Sequence, residues 1–129
     1  MRSSILIIDD EPAITAALMT RLKAAGHTVR HAINGLAGLE AAAESVPDVI
    51  ILDVRMPDID GLEVCIRLRR DPDLHDVPVI FLSAESDPVA RRRAALAGGT
   101  RFIAKPFVSR DIFDAVNDLT ATPMTTAGG

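Results

Sequence analysis

The apolar residues of the chain gather in short runs that end abruptly at polar or charged residues. Four of these runs are continuous, namely Ile5–Ile8, Val49–Leu52, Val79–Leu82 and Phe102–Ala104. A fifth segment, from His27 to Ile33, alternates loosely between apolar and polar residues. All five segments predict strands. The Val49–Leu52 run suits a strand that is buried on both faces of a sheet, whereas the alternating segment suits an edge strand.

Helical patterns fill the stretches between the strands. The apolar positions of the first helix recur at every fourth residue, and its stripe consists of Ile14, Leu18 and Leu22. The stripe predicted for the second helix consists of Leu36, Leu39, Ala43 and Val46. Both stripes predict amphipathic helices that pack on the sheet.

The last two helices carry weaker signals. Asp87 and Pro88 open the fourth helix, which has only Val89 and Leu96 as large apolar residues. We therefore expect this helix to bury the least surface and to be the easiest element to shift. Ser109 is expected to cap the fifth helix.

The alternation of strand and helix, five times over with short connections, predicts an α/β fold. Its centre is one parallel five-stranded sheet with helices on both faces. The 129 residues of the chain suit a single domain, and we place this domain at residues 1–119. Residues 120–129 show no periodicity, so we expect them to form a flexible tail.

Composition narrows the function classes. Apolar residues make up 48% of the chain, which indicates a globular protein, and the net charge of −4 argues against direct binding of nucleic acid. The single cysteine, Cys65, excludes an internal disulfide and suits a reducing compartment. No signal peptide is evident and no apolar run approaches the ~20 residues of a membrane span, so we expect a soluble, cytoplasmic protein. The histidines assigned to the surface are His27, His31 and His75.

Three carboxylates follow the ends of two predicted strands. Asp9 and Asp10 come directly after the first strand, and Asp53 ends the third. Parallel strands carry their carboxyl ends to one edge of the sheet, where ligands usually bind. Close carboxylates repel each other, and a hard cation such as Mg²⁺ relieves that repulsion. Taken alone, Asp9 and Asp10 are equally suited to an acidic helix N-terminus.

Two further strands end in residues that suit an anion. Ser83 follows the fourth strand, and Lys105 follows the fifth and precedes Pro106. Arginine carries most of the positive charge of the chain, which has only two lysines, so a lysine at this position is unusual for this sequence. Its compact ammonium suits a phosphate oxygen. The ordinary interpretations are a turn serine and a solvated surface lysine.

Together these motifs resemble the receiver domain of bacterial two-component response regulators. The matching segments are Asp9–Pro12, Ile51–Gly61, Leu82–Ala84, Ala97-Gly98 and Phe102–Phe107. Their order and spacing cover residues 5 to about 119. The resemblance implies a flavodoxin-like (βα)5 doubly wound fold with the strand order 2-1-3-4-5.

The resemblance also implies the chemistry of the site. Asp53 corresponds to the aspartate that accepts a phosphoryl group from the phosphohistidine of a histidine kinase or phosphotransfer protein. Asp10, Asp53 and the backbone carbonyl of Arg55 correspond to direct ligands of Mg²⁺, and Asp9 corresponds to a ligand that acts through water. Lys105 corresponds to the lysine that contacts the phosphoryl oxygens.

Other matched positions concern switching and timing. The resemblance implies that Ser83 turns toward the phosphoryl group, that Phe102 is the aromatic switch, and that the bond from Lys105 to Pro106 is cis. Arg55 and Glu85 flank the site with opposite charges. We hypothesise that they pair across its mouth and lengthen the phosphorylated lifetime by hindering the hydrolytic water; two solvated charges are the plainer interpretation.

These roles describe a signalling switch rather than a classical enzyme, one that assists its own Mg²⁺-dependent phosphorylation and slow dephosphorylation. Its output would be contact with a downstream protein, without nucleic acid or membrane, through the fourth helix, fifth strand and fifth helix. The same face offers a route to a homodimer. The main competing hypothesis is an adaptor that signals by dimerisation without phosphorylation.

Two classes of ligand-binding domain fit the sequence poorly. A Mg²⁺-dependent nucleic-acid domain of the toprim sort is suggested by Asp58-Ile59-Asp60, but this triplet lies in a predicted loop after Pro57 and not at a strand end. An FMN-binding flavodoxin needs a phosphate loop after the first strand and aromatic residues beside the flavin, and the sequence has neither at the required place.

Overall fold

A parallel five-stranded sheet forms the centre of the computed structural model, which describes residues 2–84 and 87–121. The strands are β1 (Ser4–Ile8), β2 (Thr28–Ala32), β3 (Val49–Asp53), β4 (Val79–Ser83) and β5 (Arg101–Ala104). Their order in the sheet is β2-β1-β3-β4-β5, and every neighbouring pair is parallel. The expected fold class and strand order are therefore confirmed.

Helices cover both faces of the sheet. They are α1 (Pro12–Ala24), α2 (Gly35–Glu44), α3 (Gly61–Arg70), α4 (Pro88–Leu96) and α5 (Ser109–Thr120). Successive side chains of a strand point to opposite faces, so Ile5 and Ile7 pack with α1 and α5, whereas Leu6 and Ile8 pack with α2, α3 and α4. No helix among the described residues has the length and apolar content that a membrane crossing requires.

Polar side chains fix the first turn of three helices at the same end of the sheet. Asn34, Asp60 and Asp87 each accept a hydrogen bond of 2.8 Å from the backbone N–H three residues later. These caps set the positions at which α2, α3 and α4 begin. They thereby hold the loops that surround the carboxyl ends of the strands.

The buried face of α2 differs from the prediction. Leu36 and Val46 are each 49% exposed. The residues that α2 buries are Gly35, Gly38 and Ala42. The helix lies so close to the sheet that a Cβ atom on Gly38 would be 2.5 Å from Cδ1 of Ile8. Large side chains on this face would push α2 away, so it turns its small residues inward and leaves Leu36 exposed, while Leu39 packs partly against the core.

The α4 helix buries little, as expected. Its one buried residue is Ala94, whereas Val89 is 59% and Leu96 is 81% exposed. Few buried apolar contacts therefore hold α4 in place, which is the property of an element that can shift at low cost.

Two local predictions were wrong. Val108 and not Ser109 occupies the N-cap position of α5, and no side chain caps that helix, because Ser109 is already its first helical residue. His27 is buried and not at the surface, since its Nδ1 atom accepts a 3.1 Å hydrogen bond from the backbone N–H of Ser3. The predicted tail falls mostly on residues 122–129, which lie outside the described residues.

Candidate functional site

The strand register brings four of the predicted site positions to one edge of the sheet. Ile8 pairs with Leu52 just before the carboxylates of β1 and β3, and Ser83 at the end of β4 pairs with Ala104, just before Lys105. The strands end at nearly the same level, because they are parallel and in register. The carboxyl ends of β1, β3, β4 and β5 therefore supply the site.

Lys105 is the centre of the charged contacts. Its Nζ atom lies 3.1 Å from Oδ2 of Asp53 and 3.8 Å from Oδ2 of Asp9. The same ammonium lies 2.6 Å from Oε1 of Glu11. Asp9 is 1% and Asp53 is 5% exposed, so their ion pairs with Lys105 are largely removed from water, whereas the Glu11 side chain is half-exposed. Burial strengthens the attraction between the opposite charges, and the cost of desolvation makes any of these charges expensive to leave unpaired.

The pKa values in the site reflect this crowding. Burial raises the pKa of Asp9 above its usual value, and the nearby charge of Asp53 acts in the same direction. Burial alone would lower the pKa of Lys105, but hydrogen bonds to Glu11 and Asp53 outweigh it and raise that pKa. Lys105 is therefore held in its charged form, and the Asp9 carboxyl group beside it loses its proton less readily than usual.

The carboxylates fit a hard cation. Asp9, Asp10 and Asp53 each offer an oxygen atom, and these atoms lie within 4.8 Å of one another. Two of the three residues are buried, and Asp10 is exposed. An all-oxygen donor set with access to water on one side suits Mg²⁺, which keeps several water ligands.

The loop after β3 approaches the site through its backbone. The N–H of Arg55 donates a 3.2 Å hydrogen bond to Oδ1 of Asp53, which fixes the orientation of that carboxylate. The N–H of Gly61 donates a 2.7 Å hydrogen bond to the carbonyl of Val54. A Cβ atom on Gly61 would collide with the carbonyl oxygen of Asp53, so this loop can fold back only with glycine at that position.

Ser83 and Phe102 border one cavity on the α4 side of the site. The cavity has a volume of about 250 Å³, and its lining also includes Arg55 and Arg93. The ring centroid of Phe102 lies 4.8 Å from Cζ of Arg91, a cation–π contact on the outer side. Phe102 therefore borders this cavity, contacts Arg91 of α4 and packs partly against the core.

The cis bond predicted next to Lys105 is present. The peptide bond between Lys105 and Pro106 is cis, and the N–H of Lys105 donates a 2.8 Å hydrogen bond to the carbonyl of Ser83. Glu85 lies outside the described residues, so its pairing with Arg55 stays a prediction.

Sequence reasoning missed two carboxylates near this edge. Glu11 received no role of its own, although its 2.6 Å ion pair with Lys105 is shorter than those of Asp53 and Asp9. Asp58 accepts hydrogen bonds from the N–H groups of Gly35 and Leu36 at 3.0 and 2.8 Å, which lowers its pKa. Both contacts join segments that are distant in sequence, and no local pattern indicates them.

Comparisons with protein families, with individual sequences and with solved structures all indicate the same family. The response regulator receiver domain family matches residues 5–117. The DNA-binding dual master transcriptional regulator RpaA of Synechocystis sp. PCC 6803 is 37% identical over 115 residues, which cover 89% of this chain and 48% of that protein. The chain thus spans about half the length of the curated relatives it matches.

Solved structures have the same fold. A chain described as a response regulator, from Chloroflexus aurantiacus J-10-fl, has a TM-score of 0.89 and 32% identity over 95% of this chain and 100% of its own. The receiver domain of a sensor histidine kinase from Pseudomonas aeruginosa PAO1, solved with a magnesium ion in its active-site cleft, has a TM-score of 0.87 and 24% identity, covering 95% of this chain and all of its own length, 100%. With its family match over residues 5–117, this chain belongs to the response regulator receiver domains.

Proposed function

We propose that this receiver domain is a phosphorylation-activated switch whose phosphoryl acceptor is Asp53. The observation that carries the proposal is the contact of 3.1 Å between the Asp53 carboxylate and the Lys105 ammonium in a largely buried site. A carboxylate that is to become an acyl phosphate needs positive charge where the phosphoryl oxygens will lie. Lys105 supplies that charge at the required distance from the nucleophile.

The proposed reaction is a phosphoryl transfer from a phosphohistidine. A carboxylate oxygen of Asp53 attacks phosphorus, a P–O bond forms, and the P–N bond breaks as the imidazole leaves with the electron pair. Lys105 contacts the phosphoryl oxygens, and the N–H of Arg55 holds the other carboxylate oxygen of Asp53. Little covalent chemistry is asked of the protein, because positioning and charge stabilisation account for most of the catalysis of phosphoryl transfer. Slow hydrolysis of the same acyl phosphate would reset the switch.

We propose Mg²⁺ as the cofactor, held by Asp9, Asp10, Asp53 and the backbone carbonyl of Arg55. The fit of the three carboxylates to a hard cation supports this assignment. When bound, Mg²⁺ neutralises negative charge on the carboxylates and on the transferred group.

The switch itself would use Ser83 and Phe102. In the proposal, the Ser83 hydroxyl turns to the phosphoryl group, and Phe102 moves inward toward the cavity that both residues border. That movement gives up the contact with Arg91, so the stacked guanidinium favours the outward ring by about 0.5–1 kcal/mol. A ligand shifts such an equilibrium only through contacts that differ between its two states, which Ser83 and Lys105 provide.

The partners in this proposal are proteins. The phosphodonor would be a histidine kinase or phosphotransfer protein, and it would approach near Lys105, where an apolar groove of about 450 Å³ lies between α1 and the loop before α5. Output would go through α4, β5 and α5 to a downstream protein or to a second copy of the chain. We propose a cytoplasmic location and no membrane contact for the domain itself. We also propose no contact with nucleic acid, which the net charge of −4 supports.

Intact-mass spectrometry after incubation with Mg²⁺ and acetyl phosphate tests the proposal. We expect a mass gain of one phosphoryl group in the wild-type protein and none in Asp53→Ala. Asp73→Ala is the matched control, because it removes an exposed aspartate of the loop after α3, and it should gain the group as the wild type does. A wild-type protein that binds Mg²⁺ but gains no mass would overturn the proposal and favour an adaptor that works without phosphorylation.

A further inference from the structure

We propose that Glu11 is a positioning residue that restrains phosphorylation by holding the ammonium of Lys105. The inference rests on the proposed phosphoacceptor function, and it assigns to Glu11 control over how strongly the site binds an incoming phosphoryl group. The juxtaposition that carries it is the 2.6 Å ion pair between Glu11 Oε1 and Lys105 Nζ.

The Glu11 side chain has no structural task at its own helix. Glu11 occupies the N-cap position of α1, yet its side chain makes no capping hydrogen bond there. The backbone N–H of Glu11 donates a 2.8 Å hydrogen bond to Oδ1 of Asp9, a contact that a change of side chain leaves in place. The carboxylate instead reaches across the edge of the sheet to Lys105, 94 residues away in sequence.

Glu11 competes with the phosphoryl group for one cation. An ammonium group has three N–H donors, and Lys105 already directs two hydrogen bonds to Glu11 and Asp53. The side chain of Lys105 is only 12% exposed, so few water molecules can replace a lost partner. A phosphoryl group on Asp53 must therefore share the ammonium with Glu11 or displace it.

Repulsion acts in the same direction as this competition. The Asp9 and Asp53 carboxylates and the Glu11 carboxylate already surround one ammonium within 3.8 Å or less. An incoming phosphodonor brings further negative charge to the same place. Repulsion between these like charges raises the free energy of the complex with the donor. Both effects predict that removal of the Glu11 charge strengthens binding of the phosphoryl group.

The kinetic test compares Glu11→Gln with Glu44→Gln. Glu44 is an exposed residue at the end of α2, so its variant makes the same change of net charge without touching Lys105. Phosphorylation by acetyl phosphate with Mg²⁺ is followed by intact mass, because the chain has no tryptophan to report by fluorescence. We expect Glu11→Gln to be phosphorylated about threefold faster than wild type at low donor concentration, the size of effect of a partly exposed ion pair. Glu44→Gln should match the wild type.

A spectroscopic test needs no phosphoryl transfer. The chain has two lysines, so NMR of selectively labelled lysine side chains gives one signal for Lys105 and one for Lys23, which is an internal control. In Mg²⁺-free protein, we expect Glu11→Gln to move the Lys105 signal and to leave the Lys23 signal in place. Titration with beryllium fluoride, a mimic of the phosphoryl group on a carboxylate, should give about threefold tighter binding in Glu11→Gln than in wild type.

Two different failures are distinguishable. A wild-type protein that neither gains a phosphoryl group nor binds beryllium fluoride would overturn the proposed function itself. A wild-type protein that does both, with Glu11→Gln indistinguishable from Glu44→Gln or with an unmoved Lys105 signal, would leave that function intact and refute the role of Glu11.

Discussion

Burial of a single histidine makes the stability of the domain depend on pH. Burial lowers the pKa of His27, and the positive N-terminus acts in the same direction. The folded state therefore binds a proton less readily than the unfolded chain, where histidine titrates near about 6.5. The stabilising contribution is fully present above that pH and is lost as the pH falls below it.

We expect His27→Gln to flatten this dependence. Glutamine offers a carbonyl oxygen to the N–H of Ser3 and has no proton to gain, so the free energy of unfolding of the variant should fall less steeply than that of wild type from pH ~7.5 to ~5.5. Urea unfolding at several pH values measures the difference. Parallel curves for the two proteins would show that His27 does not carry the effect.

At the scale of residues, the sequence predicts positions well and side-chain contacts poorly. Asp9 and Asp53 each stand directly after a run of buried residues, and Lys105 directly follows the apolar run of β5, so their meeting at one edge follows from parallel strands. No sequence pattern indicates the contact of Glu11 with Lys105, because that contact depends on how far a flexible side chain reaches. His27 was wrongly assigned to the surface, because a hydrogen bond from the backbone N–H of Ser3 holds its ring inside and no pattern in the sequence indicates that contact.

At the scale of elements, α2 shows the limit of hydrophobic periodicity. The number, order and approximate bounds of the strands and helices follow from the sequence, yet the face that α2 buries does not. Periodicity assumes that the core attracts large side chains, whereas the space between α2 and β1 admits only small ones. Packing distance is a property of two elements together, and it is not encoded in either one alone.

Gly38→Ala tests this close packing. Alanine favours a helix by about 1 kcal/mol over glycine, but the added Cβ would overlap the side chain of Ile8, and overpacking typically costs about 1–3 kcal/mol. We therefore expect a net loss of up to about 2 kcal/mol in the free energy of unfolding, measured with urea. The double variant with Ile8→Val, which removes Cδ1, should cost less than the sum of the two single variants; a purely additive cost would contradict direct overlap.

At the scale of the whole molecule, opposite charges lie side by side on the face of α4, β5 and α5. The α4 helix carries Arg91, Arg92 and Arg93 in sequence. The α5 helix carries the acidic row Asp111, Asp114 and Asp118, and all three of these aspartates line a shallow cavity beside β5. Within the chain, Arg101 and Asp118 form an ion pair with a distance of 3.6 Å between nitrogen and oxygen. The pair lies at the surface and is therefore weak.

From this charge arrangement we predict a two-fold dimer of the phosphorylated form. In a symmetric pair the same face meets itself, so arginines of α4 can meet aspartates of α5 from the second copy, twice over. Phosphorylation would alter the pairing if it moves Phe102 inward, because that movement removes the contact between the ring and Arg91 and so changes the edge of the same face. Surface charges contribute little singly, and several together set the orientation of the partners.

Light scattering with and without beryllium fluoride measures this pairing. We expect the wild-type protein to shift toward a dimer when the mimic binds, with the shift weakened by added salt. Asp114→Arg should abolish it, because a positive charge on α5 would face the arginines of the second copy. Asp73→Arg reverses a charge in the loop after α3, away from this face, and should leave the dimer intact. If Asp114→Arg dimerised as readily as wild type, the pairing would have to use another surface, and the charge pattern of α4 and α5 would then be available for a different protein partner.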